Sequence, residues 1–438
     1  MKMFKLLTSS DFLRHNAILI FGAVAAGFLN YLFYPVIGRL LDPVSFGEVQ
    51  VIFSLFLQLT IFLGVLNTVT VFIVANYKNV RQRNTIILEL EKIAACIAVG
   101  LLVLTIIFGQ WIKEFFKFDS AVPFFMLSVL IIISVLLTFR VAFLRGRKKF
   151  KTSVIANFLS PLGRILFAAP LVILGMGANG ALIGVVAGHV IALVYTIVKA
   201  SQAGLKRPSE LRVLSRPKLK TIWPELKYSL LVLFGSLAVM LQLTFDALVV
   251  KHLFDPQTAG LYAGLVTVSR TIFFFAAPIV MALLPSVKLD AEHKANIALL
   301  KKSILLFLAI SLPLLIVMVA FPLQIINILM GPQYIEVANL LPLLALTTFV
   351  TSLLNVVVSY FLALKRYISG MLAIIGFAVT FGLMFFRHGS LQAIVESLFV
   401  GSMVSICLIA IWLARERLTS RGSHDEATTP IHRGSSSQ

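Results

Sequence analysis

The stretches 16–38, 49–77, 93–112, 120–139, 303–335 and 337–364 each run for at least twenty residues without an Asp, Glu, Lys, Arg or His. Nothing else limits the fold as tightly. A segment apolar on every face must be surrounded by protein or by hydrocarbon. About twenty such residues in a helix cross the roughly 30 Å hydrocarbon core of a bilayer. In that solvent every backbone N–H and C=O must be satisfied internally, so only helices and closed barrels span it. Barrel strands alternate polar and apolar residues, and these runs do not. Charged residues make up 13% of the chain, where a water-soluble domain carries roughly 25%. Most of the remaining spans carry one or two charged or histidine interruptions. Twelve helices are predicted, near 16–38, 46–76, 93–112, 121–143, 152–174, 179–199, 228–250, 259–285, 303–328, 338–363, 368–386 and 390–413. The expected fold class is an all-α integral membrane protein.

The basic residues give these spans a direction. With the N-terminus in the cytoplasm, 30 of the 38 Lys and Arg fall in inner segments and 5 in outer turns, while Arg140, Arg164 and Arg270 lie within helices. That asymmetry is the positive-inside pattern, and it places both termini in the cytoplasm. It accounts for the net charge of +20 without nucleic acid, whose binders gather their basic residues in a patch or stripe. The inner loops also face anionic lipid. The first helix follows a basic segment with no small-residue cleavage site, so a removed signal peptide is not expected. Residues 1–14 could themselves lie along the interface as a short helix. Cys96 and Cys407 both fall in spans, so no disulfide framework is implied. Trp111, Trp223 and Trp412 sit near helix ends, where interfacial aromatics belong.

The chain repeats itself. "GRLLDPVSFGEV" (38–49) and "KHLFDPQTAGLY" (251–262) align at an offset of 213, pairing Asp42-Pro43 with Asp255-Pro256, Ser45 with Thr258, and Gly47 with Gly260. Each follows the first helix of its half and opens the second. Asp before Pro is a helix-start signal, because Asp accepts from free backbone N–H groups and Pro at the first position loses nothing. Gly47 and Gly260 then allow close helix packing. A weaker echo joins "AFLRGRKKF" (142–150) to "YFLALKRYI" (360–368). Six helices per copy give both copies the same orientation, so the repeats are parallel. The expected division is a six-helix lobe at 1–198, a basic cytoplasmic linker at 199–227, a second lobe at 228–414 and a disordered tail at 415–438. Chance recurrence of a common turn is the competing explanation.

These stretches carry a resemblance. "DALVVKHLFDPQTAGLYAGLVTVSR" (246–270) resembles the seventh-to-eighth helix signature of bacterial polysaccharide-unit flippases: an Asp, a hydrophobic stretch, a short turn, then Gly-x-Tyr. "GRLLDPVSFGEV" resembles their first outer turn, and "AFLRGRKKFKTSVIANFLSPLGRI" (142–165) their fourth-to-fifth helix junction. Those proteins belong to the multidrug, oligosaccharidyl-lipid and polysaccharide exporter superfamily, and the resemblance runs from about residue 10 to 413. It implies two six-helix lobes forming a V around a central cavity, working as a monomer in the bacterial plasma membrane. It implies a flippase that moves a polyprenyl-pyrophosphate-linked oligosaccharide to the outer leaflet by alternating access, driven in many members by a cation or proton gradient. No cofactor or metal is expected. A cation-coupled drug exporter is the alternative, but such proteins often carry a carboxylate on the first helix, and no acid lies between Asp11 and Asp42. Lipid II flippases usually carry two extra helices. A membrane glycosyltransferase or polysaccharide polymerase needs a sizeable outer loop or a nucleotide-sugar domain, and neither is present.

A pyrophosphate-sugar headgroup cannot cross hydrocarbon unaided, so a flippase needs cations in a wet cavity. Arg suits phosphate, being always charged and able to donate two parallel hydrogen bonds. Arg164 lies 13 residues after Lys151, about 20 Å along its helix. Pro161 and Gly163 beside it are expected to bend the helix. It is a candidate substrate cation, or a structural arginine bonded to carbonyls. Arg270 lies ten residues past Gly260, about 15 Å in. It is a second candidate, unless Asp246 on the neighbouring helix neutralises it in a structural or gating pair. Arg140 is the third, though so near Arg145 it can reach the interface instead. Asp246 and His189 are candidate coupling or gating groups, with a satisfied core histidine the plainer reading of His189. Asn30, Gln58 and Gln242 could bond sugar hydroxyls or simply join helices. No P-loop, nucleophile motif or metal-ligand spacing is found.

Overall fold

The computed structural model describes the backbone of residues 10–205, 219–287 and 293–426. Residues 1–9, the centre of the basic linker at 206–218, the segment 288–292 and the tail from 427 lie outside the described residues. No strand occurs among the described residues. The helices are α1 (Ser10–Leu40), α2 (Pro43–Asn76), α3 (Val80–Phe115), α4 (Val122–Gly146), α5 (Phe150–Leu171), α6 (Gly177–Gln202), α7 (Leu219–Leu253), α8 (Pro256–Ser269), α9 (Thr271–Ser286), α10 (His293–Ala320), α11 (Pro322–Leu329), α12 (Leu341–Ala363), α13 (Ile368–Phe386) and α14 (Leu391–Glu426). Ten segments are long and apolar enough to cross a membrane. One of them, Phe150–Gln202, is the hairpin of α5 and α6. With α1 counted, the architecture accommodates the twelve predicted spans, α8 and α9 together forming the eighth.

The boundaries differ from expectation where a local signal competes with the apolar run. α3 begins at Val80, not at 93, because the Asn79 side chain accepts from the Arg81 and Gln82 N–H groups at 3.0 and 3.1 Å and caps a basic first turn. The ninth span ends at Ala320: Pro322 cannot continue a helix but can start one, and α11 with a 3-10 helix (Pro332–Leu340) follows. The eighth span breaks at Arg270. The α5–α6 hairpin turns through a π-helical Val172–Met176, with positive φ at Gly175 and Gly177, +86° and +53°.

The two Asp-Pro turns have nearly the same geometry. Asp42 (φ −66°, ψ 160°) accepts from the Ser45 N–H at 3.0 Å, and Asp255 (φ −67°, ψ 158°) accepts from the Thr258 N–H at 2.9 Å. Both caps lie at the same end of the molecule, here called the turn end. The opposite, basic end carries the 144–151 segment and the ends of α2 and α6.

Within the first half α5 and α6 pack most closely. Gly180, Gly184 and Gly188 form a small-residue stripe on α6 against Leu171, Ala168 and Ser160–Arg164 of α5. A side chain at Gly184 or Gly188 would collide with α5 backbone, so the helices approach as small-xxx-small pairs do in lipid. In the second half Gly235 of α7 faces Gly370 of α13 in the same way. The halves meet where α2 packs on α7 and α8, and where α1 approaches α9. One hydrophobic cluster bridges them, joining Phe33, Tyr34, Phe46 and Phe53 to Tyr262, Val266, Ile272 and Tyr334.

Candidate functional site

The repeat turns form the seam between the halves. Gly47 lies against Gly260: a Cβ on Gly47 would stand 3.0 Å from the Gly260 Cα, and one on Gly260 would strike the Pro43 carbonyl. The second helices of the two halves therefore cross at their first turns, backbone on backbone. Two cations flank the crossing. Arg39, at the end of α1, donates to the carbonyls of Asn327 (3.2 Å) and Ile328 at the end of α11. Lys117, after α3, donates to the carbonyls of Leu253 (3.2 Å) and Phe254 (3.0 Å) at the end of α7. A cation on a helix C-terminus satisfies free carbonyls and meets the negative end of the dipole. Gln333 also donates to the Gly38 and Leu41 carbonyls at 3.3 and 3.1 Å. The turn end is thus closed.

Deeper in the seam, the arginines of the two halves converge on one turn of α2. Arg164 is 5% exposed. It donates to the Asn30 backbone carbonyl at 2.9 Å and side-chain oxygen at 3.0 Å. Its guanidinium lies over the rings of Phe33 (4.3 Å) and Phe53 (5.4 Å), and its Nε has no hydrogen-bond partner. No carboxylate among the described residues lies within ion-pair distance of it. Gly163 and Gly188 at the α5–α6 crossing set its position. Tyr34 stands beside this cage, 5.3 Å from the Phe53 ring, and stacks across the seam on Phe274 of α9 at 6.3 Å.

Arg270, at the break between α8 and α9, donates to Asp246 Oδ1 at 3.1 Å and to the Leu243 carbonyl at 2.8 Å. Tyr262 donates to Asp246 Oδ2 at 2.8 Å. The second guanidinium nitrogen reaches Ser54 Oγ of the first half at 3.4 Å, next in sequence to the Phe53 under Arg164. Asp246 and Arg270 are 2% and 3% exposed, so the pair is sealed. Two further sets of buried polar side chains lie near the pair: Thr348 donates to the Ser269 hydroxyl, and Gln242, Thr380, Ser402 and Thr351 bond one another.

Arg140 does not join them. It pairs with Glu91 of α3 at 2.6 Å, near the basic end. Its partner lies in the extension of α3 that the apolar run concealed. His189 donates from Nδ1 to the Val185 carbonyl at 2.9 Å and packs edge-on to Phe56; no acid is hydrogen-bonded to it. Gln58 bonds Thr244 at 3.0 Å across the halves, and Gln242 bonds Thr380, Ser402 and the Leu398 carbonyl. These amides join helices here.

Two features carry no local signal in the sequence. Lys251, near the end of α7 just before the second Asp-Pro turn, is 1% exposed, with an unpartnered Nζ 4.9 Å over the Phe118 ring. Glu48 is buried near it and accepts from the Asp119 N–H at 3.1 Å. The Asn30–Arg164 bond joins residues 134 apart, and only the Gly180-Gly184-Gly188 spacing hints at where Arg164 is held.

The fold is one that several membrane transporters of known structure share. The lipid II flippase MurJ in its inward closed conformation has the same fold, with a TM-score of 0.66 at 15% identity over 91% of this chain and 87% of that one. So does an inward-facing multidrug resistance MATE family transporter of the MOP superfamily, at 0.67 and 15% over 92% and 98%. The MATE multidrug transporter DinF-BH superposes at 0.68 and 13% over 94% and 96%. No curated protein matches the sequence significantly. The family model described as polysaccharide biosynthesis protein matches residues 12–288, more than half the chain, and the protein belongs to that family.

Proposed function

We propose that this protein flips a polyprenyl-pyrophosphate-linked oligosaccharide from the cytoplasmic to the outer leaflet of a bacterial plasma membrane, with the turn end facing outward. The observation that carries the reading is Arg164. A buried guanidinium whose partners are all neutral costs free energy. It is accounted for if an anion neutralises it during part of a working cycle. Phosphate oxygens match its free donors. The same uncompensated charge argues against a cationic drug as cargo.

In the closed-turn-end state the headgroup enters from the basic side and meets Arg164 beside Tyr34. Release outward requires Gly47 and Gly260 to part and the Arg39 and Lys117 contacts to break. The Arg270–Asp246 pair is a gating element in this scheme, because Arg270 also grips Ser54 across the seam. Arg140, neutralised by Glu91, is left out of the substrate site. His189 stays a packed core residue.

The test is reconstitution of the purified chain in vesicles holding a fluorescent polyprenyl-pyrophosphate oligosaccharide, with an impermeant quencher reading the outer leaflet. Protein-dependent loss of protection is expected. Failure across several sugars, with the same vesicles passing a lipid-scrambling control, would falsify the reading.

A further inference from the structure

The basic end of the first half holds another buried guanidinium without a counter-charge. Arg83, in the first turn of α3, is 4% exposed. Among the described residues it donates only from Nε, to Asn84 Oδ1 at 3.3 Å, and its guanidinium lies 5.5 Å from the Phe143 ring of α4. Its charged neighbour is a second cation, the exposed Arg147 at the end of α4. Asn84 donates to the Gly204 carbonyl at 2.9 Å and ties the place to the end of α6. No carboxylate among the described residues pairs with either arginine. Like charges close together repel, and burial of one of them adds a desolvation cost. An anion between the two removes both penalties.

The second half shows what the first half lacks. Lys148 and Lys365 share a left-handed backbone, with φ of +59° and +60°. The next N–H groups make the same bond, Lys149 to the Leu144 carbonyl and Arg366 to the Phe361 carbonyl, both at 2.8 Å. The turns after α4 and α12 therefore align, and Lys149 corresponds to Arg366. Arg366 pairs with Glu416 of α14 at 2.7 Å. At the same offset, 217, the position of Glu416 falls on Lys199 of α6. The fold neutralises this end of the second half from within and leaves that of the first half positive.

Position narrows the choice of anion. Arg83 lies 28 residues from Trp111, about 42 Å along α3. The two headgroup layers of a bilayer span roughly 40–45 Å, so with Trp111 at one interface Arg83 stands in the opposite headgroup layer. α3 packs on α4 and runs away from the seam. Ile97, Ile106 and Ile107 are exposed along it, as on a face that meets hydrocarbon. What reaches Arg83 from such a face is a membrane lipid, and phosphate oxygens match guanidinium donors.

We propose that Arg83 and Arg147 bind the phosphate of an anionic phospholipid in the cytoplasmic leaflet. Only the orientation is borrowed from the cargo reading above.

The test uses the full chain in phosphatidylcholine vesicles that carry, in both leaflets, phosphatidylglycerol with a diazirine beside its phosphate. A second preparation carries the same diazirine on phosphatidylcholine. Labelled positions are read by peptide mass spectrometry. The phosphatidylglycerol probe is expected to label 80–84 and 143–149 well above the phosphatidylcholine probe, and the two are expected to label 361–367 alike. Arg83→Gln and Arg147→Gln each lower the first-half label roughly five-fold, and Arg366→Gln leaves it unchanged. Arg147 is exposed, so its variant carries the test even if Arg83→Gln fails to fold. Equal labelling of 80–84 and 143–149 by both probes, or a label that survives Arg147→Gln, overturns the proposal. Displacement by inorganic phosphate makes the ligand a free ion and overturns it too. So does displacement by polyprenyl pyrophosphate at a lower mole fraction than phosphatidylglycerol, which makes the ligand the cargo. A chain that flips no sugar yet keeps the label loses the cargo reading and keeps this site.

Discussion

Arg164 and Arg270 lie against adjacent residues of α2, Phe53 and Ser54, yet the fold treats them in opposite ways. Arg270 has a carboxylate, and that carboxylate has a tyrosine. Arg164 has a carbonyl, an amide oxygen and two ring faces, with its buried Nε left without a partner. Charge is balanced at one and not at the other. Ring faces attract a desolvated guanidinium by about 2 kcal/mol or somewhat more, and neutral oxygens add hydrogen bonds. Neither replaces a counter-charge in a medium where lone ions cost several kcal/mol. Under the proposed function, the comparison separates a cation kept for architecture and movement from a cation kept for an anion that comes and goes.

The largest expected effect falls on the balanced site. Asp246→Ala leaves Arg270 buried without its partner, which costs about 3–5 kcal/mol. Thermal unfolding in detergent should show it, and Asp246→Leu with Arg270→Met should recover most of the loss. A single variant as stable as the parent would erase the contrast. Next comes the crossing. Gly260→Ala drives a methyl into the Pro43 carbonyl, an overpacking of about 1–3 kcal/mol. In a chain with Cys96 and Cys407 replaced by Ser, a cysteine at Ser54 should then react faster with an impermeant maleimide added from the turn side. If its reactivity stays at the parent level, the seam does not open there.

Smaller again are the clamps. Arg39→Gln and Lys117→Gln each remove a contact worth up to about 1 kcal/mol. Together they should raise the same cysteine's reactivity more than either alone. The least effect is at the exposed Asp255, whose carboxyl Thr258 holds below the ordinary carboxylate range by hydrogen bonding. A lowered folded pKa means stability that is present above the ordinary value and lost as pH falls through the lowered one. The penalty of Asp255→Ala, about 1 kcal/mol, should therefore stay constant down to about pH 5 and vanish at stronger acid. A penalty that instead grows on acidification would mean the cap works by another route.

Much of the fold was legible because lipid leaves so few choices. Uncharged runs placed the spans, and two Asp-Pro-x-[Ser/Thr] turns marked the starts of α2 and α8. What escaped were the places where a cap or a proline outvotes hydropathy: Asn79 starting α3 early, Pro322 dividing the ninth span, Arg270 breaking the eighth. At the site, Arg164, Arg270 and Asp246 stood out because charge in a span is rare. Their partners did not. Asn30 and Arg164 come from helices far apart in the chain, and Glu91 lay in what looked like a loop. Lys251 read as an interfacial turn residue, since nothing local announces that Phe118 and Glu48 fold over it.

The most direct measurement compares flipping rates of the parent, Arg164→Lys and Arg164→Ala in the same vesicles, at matched protein content. Loss of a charge-assisted contact of about 1.5–3 kcal/mol slows flipping roughly ten- to a hundred-fold in the alanine variant. The lysine variant, which keeps the charge, should fall between, and both should unfold later than Asp246→Ala. Parent-like flipping by Arg164→Ala would contradict the account, because this buried guanidinium without a counter-charge would then have nothing to carry.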